Sequence, residues 1–448
     1  MEKILKRTLY STLISAMAKN RIFVILGARQ VGKTTLIKKI LGDLRQNGIP
    51  EKNILSISFD DPEIRKKISH DPSYLFEMLQ TAFGETINKF SSQKYLFIDE
   101  AQKCPQSFDA IKILFDNHKE KIRIILTGSS SLNLMKKTSE TLAGRLSIFR
   151  LYPLSWEEII SNFISDHLSG FSLIENILSK KMSYEKILSV QSDIIGHKNE
   201  ILFYWKKYLL SGGLPEIFVQ EETQEISRLF DNYIKTYLES DIKSLKQIGN
   251  ENLFLNVLDI FILRDTNILN SSNLASETGV NRLTLNKYLE VLRETFIVSP
   301  LSPFVKVSKQ STKSPKTYLF DHGISIYKKK IFSLEQLELS ESIGVVFENI
   351  AINSIFRSFA NNPQSPNINF WRDYQDHEID VIISDNDNIV PIEISHSQKI
   401  SSQKINNFKA FYRQFPEAND GFLIWSGDLK KIKIADKNII AIPFWLWF

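Results

Sequence analysis

The chain has 448 residues, 43% hydrophobic and 24% charged, which excludes a disordered or collagen-like polymer and suggests about three folded domains. Its net charge of +5 comes from 56 basic and 51 acidic residues, a mild excess that permits a nucleic-acid partner without arguing for one. A single cysteine, Cys104, rules out an intramolecular disulfide, and 7 histidines argue against a Cys/His zinc site.

The opening segment "MEKILKRTLYSTLISAMAKN" places charges between its apolar positions, so it predicts an amphipathic helix and not a signal peptide. No apolar run approaches the ~20 residues of a bilayer-spanning helix. The apolar tail "IIAIPFWLWF" predicts a buried terminal strand. No membrane partner and a cytoplasmic location are expected.

"RIFVILGARQVGKTTLIKKIL" passes from a continuously apolar strand, residues 22–26, through a glycine loop into a helix. Gly27, Gly32, Lys33 and Thr34 satisfy GxxxxGKT. Glycines let backbone N–H groups turn inward around phosphate oxygens, and the helix start points its positive end at the same anion. Gly27, Ala28, Arg29, Gln30, Val31, Gly32, Lys33, Thr34 and Thr35 are therefore the candidate nucleotide-binding residues. Lys33 would reach the β- and γ-phosphates and Thr34 would hold Mg²⁺.

A second apolar strand, "KYLFIDEAQ", ends in Asp99 and Glu100, where open α/β sheets bind ligands. Asp99 is the candidate for Mg²⁺ held through water, and Glu100 for activation of the attacking water. A third strand, "KIRIILTGSSS", delivers Ser129 and Ser130 as candidates to sense the γ-phosphate or hold the water. "ETLAGRLSIFR" then predicts Gly144 and Arg145 ahead of a further strand.

In this order the motifs resemble those of the AAA+ superfamily of P-loop ATPases. More narrowly, they resemble bacterial and archaeal AAA-type ATPases marked by GxRQxGKT, an LDEAQ-like strand, TGSSS, LAGR and a later GGLP. These stand here at residues 27–34, 98–102, 127–131, 142–145 and 212–215. The resemblance implies ATP and Mg²⁺ as cofactors and a homo-oligomer, including a ring. It implies that Arg145 reaches a neighbouring subunit's ATP, and that Pro215 sits against adenine. The residues alone equally allow a structural arginine and a sharp inter-helix turn.

The expected organisation is a P-loop core at 1–155, a helical lid at 156–250, a winged helix at 251–330 and a C-terminal α/β domain at 331–448. In the third segment, "NSSNLASETGVNRLTLNKYLEVLRETF" predicts a short helix, a turn at Gly279 and a longer helix capped by Asn281. Leu285, Leu289 and Leu292 repeat at helical spacing as its buried face. Arg282, Asn286 and Lys287 fall on the exposed side. Lys309, Lys313 and Lys316 lie in the basic loop read as a wing, as candidate phosphate contacts to DNA. Such modules also serve as protein-interaction surfaces.

"NFWRDYQDHEIDVIISDNDNIVPIEISHS" predicts two strands around a polar turn. Alternation puts Glu378 with Asp380 on one face of the first strand, and Glu393 with Ser395 on one face of the second. With Glu348 on the preceding helix, the carboxylates would converge and repel unless cations occupy them. This resembles the PD-(D/E)XK nuclease fold, whose acidic positions would be Glu348, Asp380 and Glu393, a vestigial metal site. The resemblance places its lysine at Ser395, with Lys399 the residue that could reach back, so a non-cleaving domain is expected. The leading expectation is a DNA-associated ATPase, with a nucleotide-dependent switch on protein partners and an ATP-regulated nuclease as alternatives.

Overall fold

The computed structural model describes residues 4–87, 90–129, 141–165, 173–174, 176–177, 182–238, 250–264, 267–268, 271–305, 314–386, 388–434 and 436–447. The chain separates into two compact units, Met1–Tyr152 with Glu294–Phe296, and Pro153–Arg293 with Ile297–Phe448.

The first unit is built on β1 (Ile22–Leu26), β2 (Ile54–Ser58), β3 (Lys94–Asp99), β4 (Ile122–Gly128) and β5 (Leu146–Arg150). They pair in the order β2-β3-β4-β1-β5, every neighbour parallel. Parallel strands need crossover connections. Helices α2 (Lys33–Gln46), α3 (Pro62–His70), α4 (Tyr74–Phe83) and α5 (Ser107–His118) lie in them, after an amino-terminal α1 (Thr8–Ala16). The interior strand β1 is buried at all five positions, as its uninterrupted apolar run requires. Ile22, Val24, Leu26, Leu96, Ile124 and Leu126 form one core with Leu79 of α4 and Ile111 of α5.

The second unit begins with helices α6 (Trp156–Phe163), α7 (Tyr184–Ile194), α8 (Lys198–Ser211), α9 (Pro215–Phe218), α10 (Thr223–Asn232), α11 (Glu251–Arg264), α12 (Ser271–Thr278) and α13 (Arg282–Glu294). Ser155 and Glu158 form a reciprocal capping box at the start of α6. Asn281 accepts the Thr284 N–H at 2.9 Å to cap α13. That helix buries Leu285, Tyr288, Val291 and Leu292, a face shifted slightly from the predicted leucines because Leu289 is only half-buried.

Then come β6 (Asn267–Ile268), β7 (Val298–Pro303), β8 (Lys316–Leu319), α14 (Gly323–Lys328), α15 (Leu334–Leu339) and α16 (Ser342–Phe359). The chain ends with β9 (Asn367–Arg372), β10 (Glu378–Ser384), β11 (Ile389–Ser395), α17 (Ser402–Gln414), β12 (Gly421–Trp425), β13 (Lys430–Ile434) and β14 (Lys437–Pro443). The strands of this unit make a single nine-stranded sheet, ordered β13-β14-β12-β11-β10-β9-β7-β8-β6. Sequence reasoning treats the 251–330 segment and the C-terminal segment as separate folds. Here β7 joins β9 in parallel, Ser302 opposite Asn369 and Pro303 opposite Phe370.

The polar turn between β10 and β11 is closed by Asn388, whose N–H donates to Asp385 Oδ1 at 2.9 Å. Helix α17 crosses from β11 to its parallel partner β12 and packs Phe408 and Phe411 against Trp371, Ile379 and Ile382. The apolar tail is buried, with Trp445, Leu446 and Trp447 each under 6% exposed. Among the described residues no helix is long and apolar enough to cross a membrane.

Candidate functional site

The glycine loop leaves the carboxyl end of β1 and enters α2 at Lys33. A Cβ at Gly27 would stand 2.2 Å from the Leu151 carbonyl oxygen, so only glycine lets the chain turn there. Ala28 and Val31 are buried, Gln30, Thr34 and Thr35 are exposed, and Arg29 and Gly32 are intermediate. Lys33 is 6% exposed, and its Nζ donates to the Gly27 and Ala28 carbonyls at 2.9 and 2.8 Å. The ammonium is thus held inside the loop it would share with an anion.

Across the sheet edge, Thr34 Oγ1 donates to Asp99 Oδ2 at 2.8 Å. An alcohol and a carboxylate oxygen so close suit a hard cation such as Mg²⁺. Thr127, at the end of β4, donates its hydroxyl to Asp99 Oδ1 and accepts the Glu100 N–H at 3.1 Å. One buried threonine therefore orients both acids. Glu100 has φ 54° and ψ 44°, a left-handed conformation costing about 1 kcal/mol for a side chain of this kind. Ser129 is buried, with its Oγ 3.3 Å from Glu100 Oε2. Ser130 lies outside the described residues.

Arg145 stands just before β5, at the amino end of a strand whose register with β1 starts at Ile22 and Leu146. That end of the sheet is opposite the glycine loop. Its guanidinium makes a two-pronged pair with Asp116, at 2.6 and 2.9 Å. The pair holds the Asp116 carboxyl below its ordinary range.

In the second unit the carboxylates do converge, but the cations among them are lysines. Lys404 of α17 donates to Asp380 Oδ2 at 2.7 Å and to Glu393 Oε2 at 2.6 Å. Lys316 of β8 donates to Glu348 Oε1 at 3.1 Å and to Glu378 Oε1 at 2.5 Å. Tyr318 adds a bond to Glu348 at 2.7 Å, and Asn407 one to Glu393 at 2.9 Å.

These contacts correct three expectations. Glu348, Asp380 and Glu393 are not gathered around a metal: among the described residues, no group of three or more His, Cys, Asp or Glu is arranged to hold one. With Ser395 at the motif's lysine position, no ammonium was expected there unless Lys399 reached back, and Lys404 supplies one. And Lys316 is no exposed phosphate contact. It is 6% exposed, because β8 lies inside the sheet and not on a free wing. Lys309 and Lys313 fall outside the described residues. Arg282, Asn286 and Lys287 are exposed along α13.

Residues 19–160 match the family model described as an AAA domain. The match takes in the glycine loop and the strand-end acids Asp99 and Glu100. Two further models, each described as a domain of unknown function, match residues 202–335 and 343–447. An uncharacterised protein of Mycobacterium tuberculosis is 24% identical over 379 residues, 84% of this chain and 71% of its own. One of Methanocaldococcus jannaschii is 23% identical over 440 residues, 96% of this chain and 88% of its own.

Among solved structures, PCH-2 of C. elegans superposes with a TM-score of 0.28 at 18% identity, over 36% of this chain and 48% of that one. A DNA polymerase III gamma subunit-related protein of Thermotoga maritima gives 0.25 at 16% identity, over 64% and 99%. Superposition this loose says nothing about function.

Around the glycine loop, sequence reasoning missed two residues. Arg7 donates to the Val31 carbonyl at 2.6 Å and to that of Tyr152, tying the segment before α1 to the loop. Gln102 donates to Glu100 Oε2 at 2.6 Å. The glutamine that closes the strand-end motif was the available signal for it. In the other unit, Pro215 is the first residue of α9. A Cβ at Gly212, whose φ is 68°, would meet Asp321 Oδ1 at 1.9 Å. Asp321 in turn accepts the Gly213 N–H at 2.7 Å. The GGLP turn is thus a packed joint around a buried aspartate.

Proposed function

We propose that the chain binds and hydrolyses ATP, and that it does so in association with DNA. The observation that carries the ATPase reading is the linked set Thr34–Asp99–Thr127–Glu100 beside the glycine loop. Such a set has little structural reason to exist without a charged ligand, since it gathers two acids at one strand end. Lys33 would engage the β- and γ-phosphates, Thr34 and Asp99 would hold the Mg²⁺ that arrives with ATP, and Glu100 would take the proton of the attacking water. Arg145 would complete the site of an adjoining copy.

The DNA part rests on the exposed Arg282, Asn286 and Lys287 of α13. Each of these carboxylates gives one oxygen to an ammonium group. The C-terminal segment is read as one that does not cleave nucleic acid, with Ser395 at the motif's lysine position.

The test is ATP turnover by the full chain, with and without single-stranded, duplex and branched DNA, beside Lys33→Ala. Turnover that Lys33→Ala abolishes and that DNA stimulates is expected. Turnover indifferent to every DNA would favour a switch acting on protein partners, and turnover untouched by Lys33→Ala would sink the ATPase reading.

A further inference from the structure

We propose that Gln102 is a positioning residue for ATP hydrolysis, fixing the Glu100 carboxylate so that its free oxygen faces the attacking water. The inference rests on the ATPase reading above and adds a residue to that site.

Gln102 lies in the short turn Ala101–Lys103 immediately after Glu100. Its Nε2 donates to Glu100 Oε2 at 2.6 Å and to Ser129 Oγ at 3.0 Å. An ionised carboxylate only accepts, so the amide nitrogen must be the atom that faces it. Ser129 Oγ stands 3.3 Å from the same carboxylate oxygen. Oε2 of Glu100 is therefore held from two sides. Its Oε1 takes no hydrogen bond from any described residue and is the oxygen left for a proton.

The backbone at Glu100 cannot set this direction alone. It is fixed by the left-handed turn and by Thr127, but the side chain beyond it keeps its own rotations. Gln102 is itself only partly satisfied. Its Oε1 is buried and accepts from no described residue, while both amide hydrogens are used. Buried acceptors are ordinarily satisfied, and an orienting glutamine next to the nucleophile is a known solution in phosphoryl transfer.

In the step itself, a lone pair of the water oxygen forms the bond to the γ-phosphorus. The bond from that phosphorus to the bridging oxygen breaks, and its electron pair leaves on ADP. The proton released by the water passes to Glu100 Oε1. Gln102 exchanges no atom; it acts through the direction of Glu100.

The experiment compares parent, Gln102→Met, Gln102→Ala, Glu100→Gln and the Gln102→Met/Glu100→Gln double variant of the full chain. It measures kcat and KM for Mg·ATP and, separately, the affinity for a fluorescent ATP analogue. Methionine matches the glutamine in length and removes both donors, and alanine serves should methionine not be accommodated. Gln102→Met is expected to lower kcat about tenfold with analogue affinity within about twofold, and the double variant to be no slower than Glu100→Gln alone.

Unchanged kcat overturns the proposal, as does a fall in affinity parallel to kcat, which would make Gln102 a support of the fold. Raised kcat overturns it too, because the amide would then restrain Glu100. Multiplying effects in the double variant would show that Gln102 does not act through Glu100. A parent chain that binds the analogue without turnover removes the ATPase reading itself, and this inference with it.

Discussion

Asp380 and Glu393 are shifted in opposite directions although one ammonium serves both. Burial pushes Asp380 up, but the Lys404 charge and its hydrogen bond outweigh it and hold the carboxyl down at about 2. For Glu393, burial wins against Lys404 and, with the nearby Asp380 charge, keeps the carboxyl well above the usual range. Asp380 therefore contributes stability above its unfolded value of about 4, and that contribution is lost as pH falls toward 2. Glu393 has the opposite sign: its contribution is present below its unfolded value and is lost as pH rises through its folded one. Removing Lys404 leaves a buried anion without a partner. Lys404→Met is expected to destabilise the second unit by about 3 kcal/mol at neutral pH, and the loss should shrink as acid protonates Asp380. All six tryptophans lie between residues 156 and 447, so denaturant unfolding followed by tryptophan fluorescence reads this unit directly. An unfolding midpoint unmoved by Lys404→Met would show that the cluster is solvated and not structural.

Helix α13 is the element on which DNA binding can be tested without disturbing a core. Arg282 and Lys287 are exposed, whereas Lys316 is a counter-ion of Glu348 and Glu378. Reversing Arg282 and Lys287 to glutamate should weaken DNA binding alike for every sequence and flatten its salt dependence. Each lost phosphate contact removes about 0.9 from the log–log slope. An unchanged slope, measured between low and moderate salt, would place the nucleic-acid surface elsewhere. The same comparison explains what could be read early and what could not. The glycine loop, Lys33 and Thr34 are contiguous, so spacing alone carried their geometry. The strand-end acids Asp99 and Glu100 were legible because an apolar run ends on them. Lys404 pairs with Asp380 and Glu393, 24 and 11 positions away, from a helix whose inward face only packing determines. Lys316 looked solvent-exposed because it follows a stretch rich in lysine and serine. Its burial comes from β7 and β8 entering a sheet shared with β9, which no local pattern announces.

At the scale of the whole molecule, Arg145 decides whether one chain suffices. It sits at the sheet end away from its own glycine loop and is held by an exposed pair with Asp116, a kind that contributes little to stability. It is thus available to another copy at small cost. If ATP sites form between copies, mixing Arg145→Ala with Lys33→Ala chains should restore part of the activity that each lacks alone. An arginine supplied in trans can be worth about 10³-fold in rate. A monomer with full turnover, established by light scattering at assay concentration, would remove the idea. The nine-stranded sheet has a different bearing, on modularity. Residues 202–335 and 343–447 match two different family models, as if each were a portable module. Separating the two segments would strip β9 of its β7 neighbour and expose a bare strand edge. It would also part Glu348 and Glu378 from Lys316. A hybrid that joins these two segments from distant relatives would have to rebuild both the β7–β9 pairing and the Lys316 ion pairs at the seam.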